Sequence, residues 1–212
     1  MSYKTLATMN IAIIGVRDLV EIYALNYALA GHEVFMAFKD KYSRTMPSVL
    51  ENYENIRVCS IEEAGEAADM IIVAAYPKDV REIAYWLGDV RRKVIIDATA
   101  NIQAPDDETA NTIGAMRAIT GSANVIKVFS TRGYEQLLKP LLGGDKTQLL
   151  LAGDSKKAKE ITKILTIELG VNRFVDLGGD EAIPLFDELT KGWRNLSMKQ
   201  AGQNKGVSAI KN

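Results

Sequence analysis

Short, uninterrupted apolar runs alternate with longer amphipathic ones along almost the whole chain. Runs of strand length lie at 11–15, 34–38, 56–60, 70–75, 94–98, 125–129, 148–152 and 173–176. The clearest is Met70-Ile71-Ile72-Val73-Ala74-Ala75, whose lack of polar alternation suits a strand covered on both faces. Helical patterns fall between them at 19–30, 61–67, 80–87, 108–119, 134–142 and 156–169, the last closed by Gly170. Strands that alternate with helices in this way predict right-handed βαβ units and a mainly parallel sheet. The polar stretch 99–107 reads as a long loop over strand ends. A final amphipathic helix at 181–198 offers Ile183, Leu185, Phe186, Leu189, Trp193 and Leu196 for burial, and the polar 202–212 is expected to fray. The expected architecture is therefore α/β and doubly wound, with one domain at 1–180. A C-terminal helix and tail at 181–212 packs on that domain or at a dimer interface.

The first strand–turn–helix–strand unit carries the most information. Ile11-Ala12-Ile13-Ile14-Gly15 leads into a helix that Gly31-His32-Glu33 closes, and Val34 starts the next strand. Such a unit is where a G-x-G-x-x-G turn sits in dinucleotide-binding folds. Here the turn is Gly15-Val16-Arg17-Asp18-Leu19-Val20, so only the first glycine is present. The second ordinarily admits a pyrophosphate and the third lets helix and strand pack closely. Arg17 either clamps a phosphate with a charge-assisted contact or blocks its approach by bulk. The helix N-terminus still offers amide donors and a favourable dipole, whereas Asp18 either opposes an anion or caps the helix.

Composition narrows the classes without choosing among them. The chain has 212 residues, 47% hydrophobic and 25% charged, with a formal net charge of −1. That balance gives no electrostatic argument for nucleic acid or an anionic membrane. The single cysteine, Cys59, has no internal disulfide partner and reads as a buried thiol. No basic region followed by a long apolar stretch opens the chain, and no uncharged run approaches the ~18 residues of a membrane span. A cytoplasmic protein is the expectation. One histidine and one cysteine leave no metal-ligand set, and no nucleophile–base pair stands out. His32, in its helix-ending turn, suits a helix C-terminus better than catalysis.

Several segments in order resemble one family: Asn10 to Gly15, Ala30-Gly31-His32-Glu33-Val34, Val94-Ile95-Ile96-Asp97-Ala98-Thr99, Val125-Ile126-Lys127-Val128-Phe129-Ser130-Thr131 and Leu151-Ala152-Gly153-Asp154. Leu169-Gly170, Val175-Asp176-Leu177-Gly178 and the aliphatic helix through Trp193 continue the series. The chain is similar to the deazaflavin-dependent NADP reductases, whose fold also forms the reductase domain of six-transmembrane metalloreductases. The resemblance implies a Rossmann-like sheet and NADP(H) at the strand ends. It also implies direct hydride exchange with a flavin or deazaflavin co-substrate, in which positioning replaces a catalytic triad. No catalytic residue or metal site is expected, and a homodimer is.

The resemblance assigns cofactor contacts to the turn residues Gly15, Val16, Arg17, Asp18 and Leu19. Lys39 stands where the family's arginine faces the 2′-phosphate of the adenosine, with Ser43 and Arg44 beyond it. A cation there suits NADP and a carboxylate NAD, so the adjacent Asp40 blurs the preference. Ala75, Tyr76 and Pro77 pass under the ribose and nicotinamide, and Ala98 and Thr99 follow Asp97 in a variant of the family's Asp-Ala-Thr-Asn stretch. Ser130 replaces an asparagine that the family places near the nicotinamide. Ordinary alternatives stand beside these: a solvated basic loop at Lys39, and a strand end tied down by Thr99. Lys127 would be costly to bury without a carboxylate partner, for which Asp97 is the candidate. Phe186 and Trp193 read as packing residues. The functional expectation is an NADP(H)-dependent oxidoreductase acting on a small-molecule redox acceptor. The alternative is a dinucleotide fold that has lost its cofactor and works as a binding module.

Overall fold

The computed structural model describes residues 7–39, 45–101, 111–131 and 147–200, with backbone alone at 101 and 197–200. Eight strands among them form one sheet: β1 (Asn10–Gly15), β2 (Glu33–Phe38), β3 (Ile56–Val58), β4 (Met70–Ala74), β5 (Val94–Asp97), β6 (Val125–Ser130), β7 (Gln148–Ala152) and β8 (Arg173–Asp176). Their order across the sheet is β3-β2-β1-β4-β5-β6-β7-β8. All neighbours are parallel except β6 and β7, which are antiparallel. The α/β, doubly wound reading of the apolar periodicity is thus the observed Rossmann-like architecture.

The described helices are α1 (Arg17–Leu29), α2 (Ile61–Ala67), α3 (Val80–Leu87), α4 (Thr112–Thr120), α5 (Lys156–Glu168) and α6 (Ile183–Gln200). Strand alternation sorts the core into two layers. Ile11, Ile13, Met36, Ile72, Ile96 and Val128 face α1 and α5, whereas Ala12, Ile14, Ile71, Val73, Ile95 and Val125 face α2, α3 and α4. On that second face α6 covers the far end of the sheet, where Phe186 packs with Ala100, Phe129, Leu150 and Ala152.

Local chemistry moves several boundaries from their expected places. The third strand stops at Val58 because Ser60 caps α2, its hydroxyl accepting from the Glu63 N–H while Glu63 returns the bond to the Ser60 N–H. Asn111 caps α4 by accepting from the Gly114 N–H, so that helix starts at Thr112 rather than 108. The helix expected at 134–142 lies outside the described residues, as does 102–110. At α1 the N-cap is Val16, without a side-chain bond, and Asp18 sits inside the first turn. The capping alternative for Asp18 is therefore not realised.

His32, 2% exposed, joins two corners of the fold. Its Nδ1 accepts from the Met9 N–H at 3.2 Å, so Nε2 carries the proton and donates to Glu168 at 2.8 Å. The imidazole links the start of β1 to the end of α5 rather than bonding the C-terminus of α1, as its place in a helix-ending turn had suggested.

A second tie corrects one sequence-based expectation. Asp97 and Lys127 are register partners on β5 and β6, yet they do not pair. Asp97 is fully buried and accepts from the Thr99 N–H at 3.0 Å, the Thr99 hydroxyl at 2.6 Å and the Thr112 hydroxyl. Lys127 instead donates to Asp187 of α6 at 2.5 Å, beside the Phe186 ring. Hydroxyls from β5's own end and from α4 reach Asp97 first, and a helix supplies the lysine's anion. Trp193 Nε1–H donates to the Thr131 carbonyl and Arg194 to the Ala100 carbonyl, so α6 is held to the strand ends by three polar ties as well as by Phe186. Removing one partner of a buried ion pair leaves the other uncompensated, so Asp187→Ala should cost about 3 kcal/mol in urea unfolding. The double variant Lys127→Met/Asp187→Leu should recover most of that loss.

Gly15 is the residue on which the first turn depends. It has φ +146°, and a Cβ there would lie 1.9 Å from the Ala74 carbonyl oxygen of β4. Both the dihedral and the neighbouring backbone exclude a side chain. The same carbonyl accepts from the Val16 N–H at 2.8 Å. Gly15→Ala should therefore destabilise the protein by more than about 3 kcal/mol, read as a large fall in melting temperature or as loss of soluble protein.

Candidate functional site

The strand order reverses between β1 and β4, since β1 connects outward to β2 while β4 begins the opposite half. In open α/β sheets the crevice at such a reversal, beyond the carboxyl ends of the strands, is the usual ligand site. Here its floor is the Gly15–Val16 turn, its walls are the ends of β2 and β4, and α1 points its N-terminus into it. Its N-cap, Val16, gives that terminus no side-chain hydrogen bond. A 13-residue helix entered this way presents first-turn amides and a positive dipole end.

The expected turn residues take distinct places. Val16 and Arg17 are half-buried and Asp18 is exposed, while Gly15, Leu19 and Val20 are buried. Val20 occupies the third glycine position and is fully enclosed in the core under α1. Helix and sheet have therefore spaced themselves around a valine. Arg17, at the second glycine position, does not extend over the turn. Its guanidinium lies 4.4 Å over the Phe38 ring at the end of β2 and donates to Glu21 at 3.2 Å, one helical turn on.

Lys39 follows β2 and bonds Asp79, in the turn after β4, with Glu82 of α3 3.3 Å away. The hydrogen bond to Asp79, foremost, and the nearby carboxylates raise the Lys39 ammonium above the ordinary lysine range. Lys39 is therefore a firmly charged cation with its own anions. Ser43 and Arg44 lie outside the described residues.

On the β4 side, Ala75 is buried, and Tyr76 and Pro77 are half-buried at the start of a short 3-10 turn with proline at its first position. Lys78 lies 5.8 Å over the Tyr76 ring. At the neighbouring strand ends Ala98, Thr99 and Ser130 are all buried, and Thr99 is occupied by Asp97. The structure therefore places Val16, Arg17, Asp18, Lys39, Tyr76 and Pro77, all at least partly accessible, at the carboxyl ends of β1, β2 and β4. Ala98, Thr99 and Ser130 lie buried at the ends of β5 and β6.

Behind Ala98 and Ser130 lies a small, mostly apolar cavity between α1, α5 and the sheet, lined also by Tyr23, Tyr27, Thr147 and Thr162. Burial pushes Tyr23 up to about 12 and raises Tyr27 further, so both remain neutral phenols. Sequence reasoning passed over Asp79 and Glu82, which control the charge at Lys39. Arg17–Glu21 was legible as an i, i+4 pair. The contact from Lys39 to Asp79 spans 40 positions and left no such mark.

Comparison with known proteins agrees with this frame. The class is a Rossmann-like dinucleotide-type fold. Residues 10–101 match the family model described as NADP oxidoreductase coenzyme F420-dependent, which covers β1 through the turn after β5. Among solved structures, a candidate F420-dependent NADP-reductase from Arthrobacter sp. FB24 has a TM-score of 0.74 at 18% identity, over 96% of this chain and 100% of that one. The hypothetical protein SMa0349 from Sinorhizobium meliloti gives 0.64 at 22%, over 81% and 86%. A reductive aminase from Aspergillus terreus, in complex with NADPH4, cyclohexanone and allyl amine, gives 0.65 at 15%. That match covers 91% of this chain but only 63% of the aminase. No curated protein matches the chain. At these identities the structural likeness concerns the fold. The resemblance to deazaflavin-dependent NADP reductases, first carried by ordered motifs, thus recurs in a family model and in a structural neighbour of the same description.

Proposed function

We propose that the protein binds NADP(H) in the crevice between β1 and β4 and exchanges hydride with a small redox acceptor of flavin or deazaflavin type. One observation carries the reading. The N-terminus of α1, to which its N-cap gives no side-chain hydrogen bond, is entered through a glycine that nothing else can replace, with a charged lysine at the end of β2 beside it. First-turn amides of Arg17, Asp18 and Leu19 suit a pyrophosphate, and Lys39 suits the 2′-phosphate. Ala75, Tyr76 and Pro77 suit the ribose, and Ala98, Thr99 and Ser130 suit the nicotinamide end. A bound nicotinamide supplies or accepts the hydride, so the protein has to orient two rings and exclude water rather than move protons. The family-model match and the NADPH4 complex of the reductive aminase support the dinucleotide. The acceptor rests on the family's description alone.

Titration with NADPH and NADH, followed by nicotinamide fluorescence, should give saturable binding, and mixing with a reduced or oxidised deazaflavin should move its absorbance. Absence of saturable binding by either dinucleotide would sink the proposal. It would favour instead the binding module without cofactor, for which the Arg17 side chain at the second glycine position is the specific observation. In that case Arg17→Gly is the informative reversion. Val20→Gly is not, because it opens a cavity in the core at about 2–4 kcal/mol.

Self-association is the second proposal here. Leu185, Leu189 and Leu196 are 56%, 42% and 49% exposed along one stripe of α6. A second copy of the chain would cover that stripe. Light scattering on a size-exclusion column should show a dimer, and Leu189→Glu should shift it to monomer. A monomeric wild type would reject the interface.

A further inference from the structure

We infer that Asp79 and Glu82 decide which dinucleotide the crevice accepts, by holding Lys39 in an ion cluster that a 2′-phosphate has to break and a 2′-hydroxyl does not. The inference rests on the dinucleotide reading above and adds a residue role that no sequence motif carried. β1 lies between β2 and β4 in the sheet. An ion pair from the residue after β2 to the turn after β4 therefore bridges across the end of β1, over the Gly15–Val16 turn. Lys39 is the cation of that bridge, Asp79 its nearly buried anion, and Glu82, 49% exposed, its outer one.

Three consequences follow from charge. A 2′-phosphate that takes Lys39 as its partner comes close to two carboxylates, and like charges at such separations repel strongly where solvent is partly excluded. Drawing Lys39 away leaves Asp79 as an enclosed carboxylate without its cation, a further cost. A 2′-hydroxyl carries no charge and can donate to Glu82 or Asp79 while the bridge stays closed, as an acidic residue at this end of the sheet does for NAD. Arg17, the first residue of α1, whose guanidinium lies at the end of β2, is engaged by Glu21 and the Phe38 ring. Arg17 and Lys39, the two described cations that sequence reading assigned to phosphates, thus already have acidic partners within the chain. The bridge narrows the preference for the phosphorylated dinucleotide that Lys39 alone would confer.

The test compares dissociation constants for NADPH and NADH in the wild type, Glu82→Gln, Asp79→Asn/Glu82→Gln and Lys39→Met. Thermal unfolding checks that each variant is folded, and the exposed Glu82 makes its single variant the safe one. The double variant should raise the NADPH-to-NADH affinity ratio by at least about tenfold, and Glu82→Gln by a smaller factor in the same direction. Lys39→Met should lower NADPH affinity and leave NADH within about threefold. If both dinucleotides bind and the ratio does not move in folded variants, the role of Asp79 and Glu82 is wrong while the binding site stands. If neither binds the wild type or any variant, the dinucleotide reading fails and this inference with it.

Discussion

The contact between Gly15 and the Ala74 carbonyl is the constraint from which the crevice derives. It brings the ends of β1 and β4 together without an intervening side chain and turns the chain sharply into α1. Because Val16 spends its N–H on that carbonyl and offers no side-chain cap, the next amides begin the helix at Arg17. The floor of the crevice and the direction of the α1 dipole are thus consequences of one glycine with a positive φ. The other two glycines of the usual motif serve separate purposes, and the fold survives their replacement for separate reasons. Val20 is absorbed by spacing in the core, and Arg17 leaves the turn by lying on Phe38.

What distinguishes this crevice is how its charges are already engaged. A dinucleotide site needs donors for anionic phosphates, and two of the described cations here are held by acids of the chain: Arg17 by Glu21, Lys39 by Asp79 and Glu82. The outer pairs, Arg17 with Glu21 and Lys39 with Glu82, contribute little to stability, since solvent screens them and side-chain entropy opposes them. In the proposed dinucleotide site their effect falls on ligand choice, because a phosphate would have to compete with a carboxylate for its partner.

The fold was legible because its signal is local and repeated. Apolar runs without alternation mark strands buried on both faces, and the helical periods between them mark the crossovers. Boundaries slipped where a single capping residue decided them, as Ser60 and Asn111 did. The candidate site was legible only in its backbone: the Gly15 turn, the Ala75-Tyr76-Pro77 bend and the strand ends follow from element order. Its ion pairs were not, because Lys39 and Asp79 are 40 positions apart and Lys127 and Asp187 are 60 apart. The misassignment of Lys127 to Asp97 shows why proximity in a sheet is insufficient. Register made them neighbours, yet three hydroxyl and amide donors nearer in the chain or on α4 had already satisfied the carboxylate.

The strand-end ties of α6 connect these two ends of the molecule. Trp193 and Arg194 donate to carbonyls of Thr131 and Ala100, which follow β6 and β5 immediately beyond Ser130 and Thr99. These strand ends are consequently held by a helix that packs on the opposite end of the sheet from β3. A buried charge pair, Lys127 with Asp187, orients that helix more specifically than its apolar stripe alone would, because a shifted register would strand an ammonium in the core. The polar groups that look least like a site, on the last helix, therefore fix the ends of β5 and β6, next to the strands that frame the glycine turn.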